Sequence, residues 1–176
     1  VAATTGSGAP GGVFTPTLLV GAGLYAADSA RFREQLGAAG LLHATVDVGW
    51  TAREELPAML GAADVGLYLM DDTLLNRTKC PVKLADMLAA GVPVVAEAVG
   101  QVTEYVRDGR TGVVVTSGDV AGLVAAAARL LENPPERGRL GAAARADARA
   151  RFNWEQLAAR AVQAYAAVAA DGVSPP

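Results

Sequence analysis

Lys79 and Lys83 are the only lysines among fifteen basic residues, the other thirteen being arginines, and Arg77 lies just before them. Asp86 follows Lys83 by one helical turn. Cations grouped on a loop and the first turn of a helix favour an anion, because the first backbone N–H groups and the positive end of the helix dipole already do so. With a carboxylate one turn on, the chemistry suggested is capture of a phosphate-bearing ligand that also carries hydroxyls. The residues alone leave a second reading open: a solvated helix start with a Lys83–Asp86 pair, worth a few tenths of a kcal/mol.

The elements that must position these charges are legible around them. In residues 74–97, LLNRTKCPVKLADMLAAGVPVVAE, Pro81 suits the first turn of a helix, where its missing N–H costs nothing. Leu84, Met87 and Leu88 recur at helical spacing. Gly91 ends the helix and Pro93 prevents its resumption. Val92, Val94 and Val95 then form a β-branched run suited to a strand covered on both faces.

The same alternation runs along the chain. Residues 17–20 are a predicted strand, followed by Gly21-Ala22-Gly23. A helix follows, capped at Asp28 or Ser29, with Phe32 and Leu36 inward. A strand spans His43 to Val48 and ends at Gly49-Trp50. Thr51 and Glu54 form a capping box for a helix to about Ala62. Residues 65–70 are a strand closed by Asp71-Asp72. After Gly100 come a short helix near Val102–Val106, a turn at Asp108-Gly109 and a strand over 112–115. Asp119 caps a helix, Asn133-Pro134-Pro135 ends it, and another runs from about Glu136 to Ala150. Asn153 opens the last, which carries Leu157, Val162, Tyr165 and Val168. The pattern predicts one α/β domain over 13–170, with a Rossmann-like parallel sheet and helices on both faces. Residues 1–12, small and Gly-rich, read as a flexible lead-in, and 171–176 as a disordered tail.

Composition narrows the class. Apolar residues make up 52 % and aromatics 5 %, which suits a core of Ala, Val and Leu between helices and a sheet. A net charge of −3 gives no reason to expect nucleic acid or an anionic membrane. One cysteine, Cys80, excludes an internal disulfide and a cysteine-based metal cluster. The absence of an apolar run of spanning length and of a signal peptide points to the cytoplasm. The first residue is Val, which implies processing or a longer protein.

Ligands on a parallel sheet bind beyond the carboxyl ends of its strands. The residues expected there are Gly21 and Gly23, where backbone can approach a ligand, and Gly49 and Trp50, where a ring can lie beside a nucleobase. Thr78, Lys79, Cys80, Val82, Lys83 and Asp86 complete the candidate set. Each has an ordinary alternative: the glycines as a strand-to-helix turn without the third glycine of a dinucleotide fingerprint, Trp50 as packing, Cys80 as a small apolar residue. A nucleophilic Cys80 would need His43, the one histidine, beside it. No catalytic residue and no metal are assigned.

Taken together, these segments resemble the C-terminal, donor-binding half of a GT-B glycosyltransferase of family 4 type. GAADVGLYLM (61–70), KLADMLAAGVPVVAEAVG (83–100), TEYVRDGRTGVVVTSGD (103–119) and RFNWE (151–155) carry the resemblance. It implies a nucleotide-sugar donor at the carboxyl edge of the sheet. Asp86 stands where the family has the second Glu of its Glu-x7-Glu motif, which holds the ribose hydroxyls, and Thr78 where it has the first. The N–H groups of Cys80 and Val82 would face the diphosphate, and Pro81 replaces a Gly. Lys79 and Lys83 would stabilise the leaving diphosphate. The family's first strand of this half has no match upstream of Thr17, and its acceptor-binding half is absent, so the isolated chain is expected to be inactive. The uncharged Thr78 keeps a non-catalytic interaction or scaffold domain as the alternative, and the lone histidine argues against a related epimerase.

Overall fold

The computed structural model describes residues 2–5, 16–21, 26–49, 52 and 54–170. In chain order it contains β1 (Ala2–Thr5), β2 (Pro16–Gly21), α1 (Ala26–Ala38), β3 (Thr45–Gly49), α2 (Leu56–Gly61), β4 (Val65–Tyr68), α3 (Leu74–Arg77), α4 (Val82–Ala90), β5 (Val94–Glu97), α5 (Val102–Tyr105), β6 (Gly112–Val115), α6 (Val120–Glu132), α7 (Pro134–Arg151) and α8 (Trp154–Ala170). The six strands form one sheet in the order β3-β2-β1-β4-β5-β6.

Strands β4, β5 and β6 are parallel, with Gly66, Val94 and Gly112 in register. Side chains alternate across this trio. Val94 and Ala96 pack with Leu84, Met87 and Leu88 of α4 and with Ala144 and Ala148 of α7. Val65, Val95 and Val113 pack on the other face with Leu123, Ala126 and Leu130 of α6. Burial on both faces explains the unbroken apolar runs of these strands. Strands β2 and β3 are also parallel.

The expected sheet and flanking helices are therefore present, with one correction. Residues 2–5 are not a lead-in: they form β1, antiparallel to both β2 and β4. This places a reversed strand in the middle of the sheet and makes the sheet mixed. A four-residue segment of Ala and Thr carries no burial pattern strong enough to announce a strand. Residues 6–12 and 171–176 lie outside the described residues.

Local starts and stops mostly follow the capping residues. The side chains of Asp119 and Asn133 accept the N–H of Gly122 and of Glu136, and Asn153 accepts those of Glu155 and Gln156. Gly91 ends α4 in the left-handed region, at φ 79°. Four boundaries differ from the expectation. His43 lies in a 3-10 turn, Leu42–Ala44, and the strand begins at Thr45. Asp28 and Ser29 lie inside α1. Helix α2 starts only at Leu56, without a side-chain cap; Thr51 lies outside the described residues. Pro81 precedes α4 as its N-cap instead of opening its first turn.

Helix α7 fixes the others. Its buried face is Leu140, Gly141, Ala144 and Ala148, small enough for close approach to α4. Its arginines reach the C-terminal carbonyls of neighbouring helices: Arg137 bonds Leu130 and Leu131 O at 2.9 and 2.6 Å, Arg145 bonds Ala90 O, and Arg151 bonds Glu104 O. Cations there meet the negative end of each helix dipole. By contrast, Trp154, Val162, Tyr165 and Val168 of α8 are exposed. No helix among the described residues is long and apolar enough to cross a membrane.

At Gly141 a Cβ would fall well inside contact distance of the Gly91 carbonyl oxygen. Gly141→Ala should gain up to about 1 kcal/mol of helix propensity and lose about 1–3 kcal/mol to overpacking against rigid backbone. We expect a net loss of stability, read as a lower urea midpoint with an unchanged slope; an unchanged or higher midpoint would contradict the close α4–α7 contact.

Candidate functional site

The carboxyl edge of the sheet gathers five segments. Gly21 and Gly49 pair as the last residues of β2 and β3, so two residues without side chains lie together at that edge. Gly23 and Trp50 lie outside the described residues. Beyond β4 the chain runs through Asp71–Thr73 into α3 and on to α4. Beyond β5 and β6 lie the Gly100 loop and the Gly118 turn.

The segment from 71 to 81, expected to be loop, is a built structure. Thr73 caps α3 by accepting the Asn76 N–H at 3.2 Å, and Asn76 donates its side-chain amide to Asp71 O at 2.9 Å. A Thr followed three residues later by a polar residue is the signal that could have revealed this helix. Arg77 grips Asp72 bidentately, at 2.6 and 2.8 Å, and its hydrogen bond holds the Asp72 carboxyl below the ordinary carboxylate range. The basic cluster read from the sequence is thus smaller by one: Arg77 is neutralised locally.

Thr78 closes α3, and its hydroxyl donates back to Leu74 O and Leu75 O at 3.2 and 3.1 Å. Gly100, at φ 53°, has Arg77 backbone where a Cβ would be, within 2.6 Å. The loop after β5 therefore lies directly against the turn that presents Lys79.

Pro81 is buried, with φ −84° and ψ 63°. These are inverse γ-turn angles, and the Val82 N–H donates to Cys80 O at 3.0 Å across it. This corrects the expectation that the Val82 N–H faces a diphosphate: it is already used. Leu84 and Ala85 donate to Pro81 O. Lys79 and Lys83 are both exposed at this mouth.

Asp86 is exposed on α4 and lines an open groove of about 420 Å³ with Ala85, Ala89, Ala148, Arg149 and Phe152. It thus faces the junction of α7 and α8, one turn from Lys83. Cys80 is exposed, and its Sγ lies 3.4 Å from the Tyr105 hydroxyl. His43 precedes β3, at the opposite end of the strands, so the two do not form a couple. Tyr105 stacks on Phe152 at 4.6 Å, and Arg151 lies over that ring. Arg151 and Arg107 share the carboxylate of Asp147, at 2.9 and 3.0 Å. The site loop is in this way joined through α5 to the end of α7.

Sequence reasoning missed Glu97. Its carboxylate accepts the Met70 N–H and the Gly118 N–H, both at 2.9 Å. An acidic residue closing an apolar strand at the carboxyl edge is the sign that was there to read.

The α/β sheet with its flanking helices has the architecture of half of a GT-B glycosyltransferase, as the superposition on solved structures shows. Residues 15–133 match the family of glycosyl transferases group 1, and the chain belongs to that family. The MMP alpha-(1->4)-mannosyltransferase of Mycolicibacterium hassiacum is 33% identical over 132 residues, 74% of this chain and 30% of that protein. Among solved structures, Anabaena Alr3699/HepE in complex with UDP-glucose superposes with a TM-score of 0.74 at 21% identity, over 86% of this chain and 41% of that one. Sucrose-phosphate synthase from Thermosynechococcus elongatus gives 0.73 at 27% identity, over 89% and 39%. The chain thus spans under a third of the mannosyltransferase and about two fifths of each solved chain.

The Cys80 contact, with burial second, raises the Tyr105 pKa from 10.0 to about 12. The protonated phenol is the form favoured in the fold. Its stabilising contribution is therefore complete below pH 10.0 and is lost as pH rises towards about 12. Subtracting the ultraviolet phenolate titration of Tyr105→Phe from that of the native chain should show Tyr105 ionising near that upper value. In Cys80→Ala it should move down towards 10.0; an unmoved titration would show that Cys80 does not touch Tyr105 in solution.

Proposed function

We propose that this chain binds a nucleotide-sugar donor at the carboxyl edge of β4 and β5, as the donor half of a cytoplasmic, retaining glycosyltransferase of family 4 type. The observation that carries the reading is the exposed pair Lys79 and Lys83 at the mouth of α4, in a chain of the glycosyl transferases group 1 family. The diphosphate would lie against the two ammonium groups. As the bond to the sugar breaks, the leaving diphosphate gains charge, and fixed cations stabilise that charge more than they stabilise the bound donor. Asp86 would accept ribose hydroxyls, with Gly21 and Gly49 leaving room near the base. Transfer would need an acceptor-binding portion outside these 176 residues, and the exposed apolar face of α8 is a surface such a portion can cover. The complex of Anabaena Alr3699/HepE with UDP-glucose supports the choice of ligand.

One observation favours a second reading, a non-catalytic interaction domain on the same fold. The Thr78 hydroxyl and the Val82 N–H, both at positions where the resemblance implies donor contacts, are bonded within the chain.

Calorimetric titration with UDP-, GDP- and ADP-sugars separates the two. We expect binding of at least one donor, weakened roughly three- to tenfold by Lys83→Ala and by Asp86→Ala, as loss of a charged contact of about 1 kcal/mol implies. No heat with any donor at millimolar concentration would favour the interaction domain. Unchanged affinity in both variants would remove the assigned site.

A further inference from the structure

We propose that Glu97 is a positioning residue for the nucleotide-sugar site, clamping the loops beyond β4 and β6 so that Lys79 is presented in a fixed place. The inference rests on the donor-site reading above and adds a residue to it.

Glu97 ends the central strand of the parallel trio. The β4–β5 ladder stops at Tyr68 and Ala96, and the β5–β6 ladder at Glu97 and Val115. Past these pairs one backbone bond remains, from the Ala98 N–H to Val115 O at 2.8 Å, and the three strands end. The Glu97 carboxylate continues the connection with its own oxygens: Oε2 accepts the N–H of Met70, and Oε1 accepts the N–H of Gly118. The bonds span 27 and 21 residues of sequence, so neither loop can shift alone without breaking one. Hydrogen bonds to an ionised carboxylate are about twice as strong as neutral ones.

The consequence for the site runs through Met70. The next residue, Asp71, accepts the Asn76 side-chain amide, and Asp72 holds Arg77. Helix α3 is thereby tied to the tip of β4, and Lys79 follows directly after it. Release of Met70 frees the base of this segment. The same two bonds also withdraw the Met70 and Gly118 amides from an incoming phosphate.

Glutamine can serve only one of the two donors, because its second terminal atom is itself an N–H donor. Glu97→Gln therefore tests the clamp while keeping size and packing, and Glu97→Ala removes both bonds. Two readouts on the full chain are needed. First, amide hydrogen exchange at Met70 and Gly118 should quicken by roughly tenfold or more at one amide in Glu97→Gln and at both in Glu97→Ala. Second, affinity for the donor sugar that binds most tightly should fall by about fivefold or more in Glu97→Gln, while exchange in the core of α6 stays as in the native chain. If both amides keep native exchange rates, the clamp does not exist in solution. If exchange quickens but donor affinity holds, Glu97 is structural only and the positioning role is overturned. If the native chain binds no donor, the reading under Proposed function fails and takes the positioning role with it, while the exchange rates still report whether the loops are clamped.

Discussion

The apposition of α4 and α7 is the constraint on which the site depends. Helix α4 carries Lys83 and Asp86, and its nine residues are too few to hold a direction by themselves. Its inner face is fixed to the sheet by Leu84, Met87 and Leu88. Its far end is fixed by α7, where Gly141 admits the Gly91 carbonyl and Arg145 bonds Ala90 O. Only with that end pinned does the other end open at a defined place on the carboxyl edge. The arginine-rich composition, which says little when read as composition, acquires a structural use here: Arg137, Arg145 and Arg151 each close the C-terminal end of a different helix.

At the mouth itself, the balance of charge is set by what the chain has already consumed. Asp72 takes Arg77, the Cys80 carbonyl takes the Val82 amide, and Glu97 takes the amides of Met70 and Gly118. A point charge on a flexible stem can follow a ligand where a fixed amide cannot. A donor site on Lys79 and Lys83, as proposed, would trade pre-organisation for adaptability, and the proposed Glu97 clamp would restore part of what is lost.

Much of this was legible because burial on both faces imposes a strong pattern. The runs at 65–70, 92–95 and 112–115 read as strands of a sheet covered by helices, and Gly91 and Asp119 mark helix ends by backbone conformation and side-chain capping. What escaped did so for physical reasons. Strand β1 is four residues of Ala and Thr, held by its neighbours rather than by its own pattern. The fate of single amides and carboxylates, such as Val82 N–H or Glu97, depends on a few degrees of backbone rotation that sequence does not encode locally. The sequence could show that Val162, Tyr165 and Val168 lie on a helix but not that they face outward, because helical spacing does not say what, if anything, covers an apolar stripe.

The most direct measurement is a crystal structure of the chain soaked with UDP-glucose. The account predicts pyrophosphate density within about 4 Å of the Lys79 or Lys83 ammonium group, beyond the tips of β4 and β5, with both Glu97 bonds intact. Ordered nucleotide on another face of the sheet, with both ammonium groups turned to solvent and Asp86 uncontacted, would contradict it.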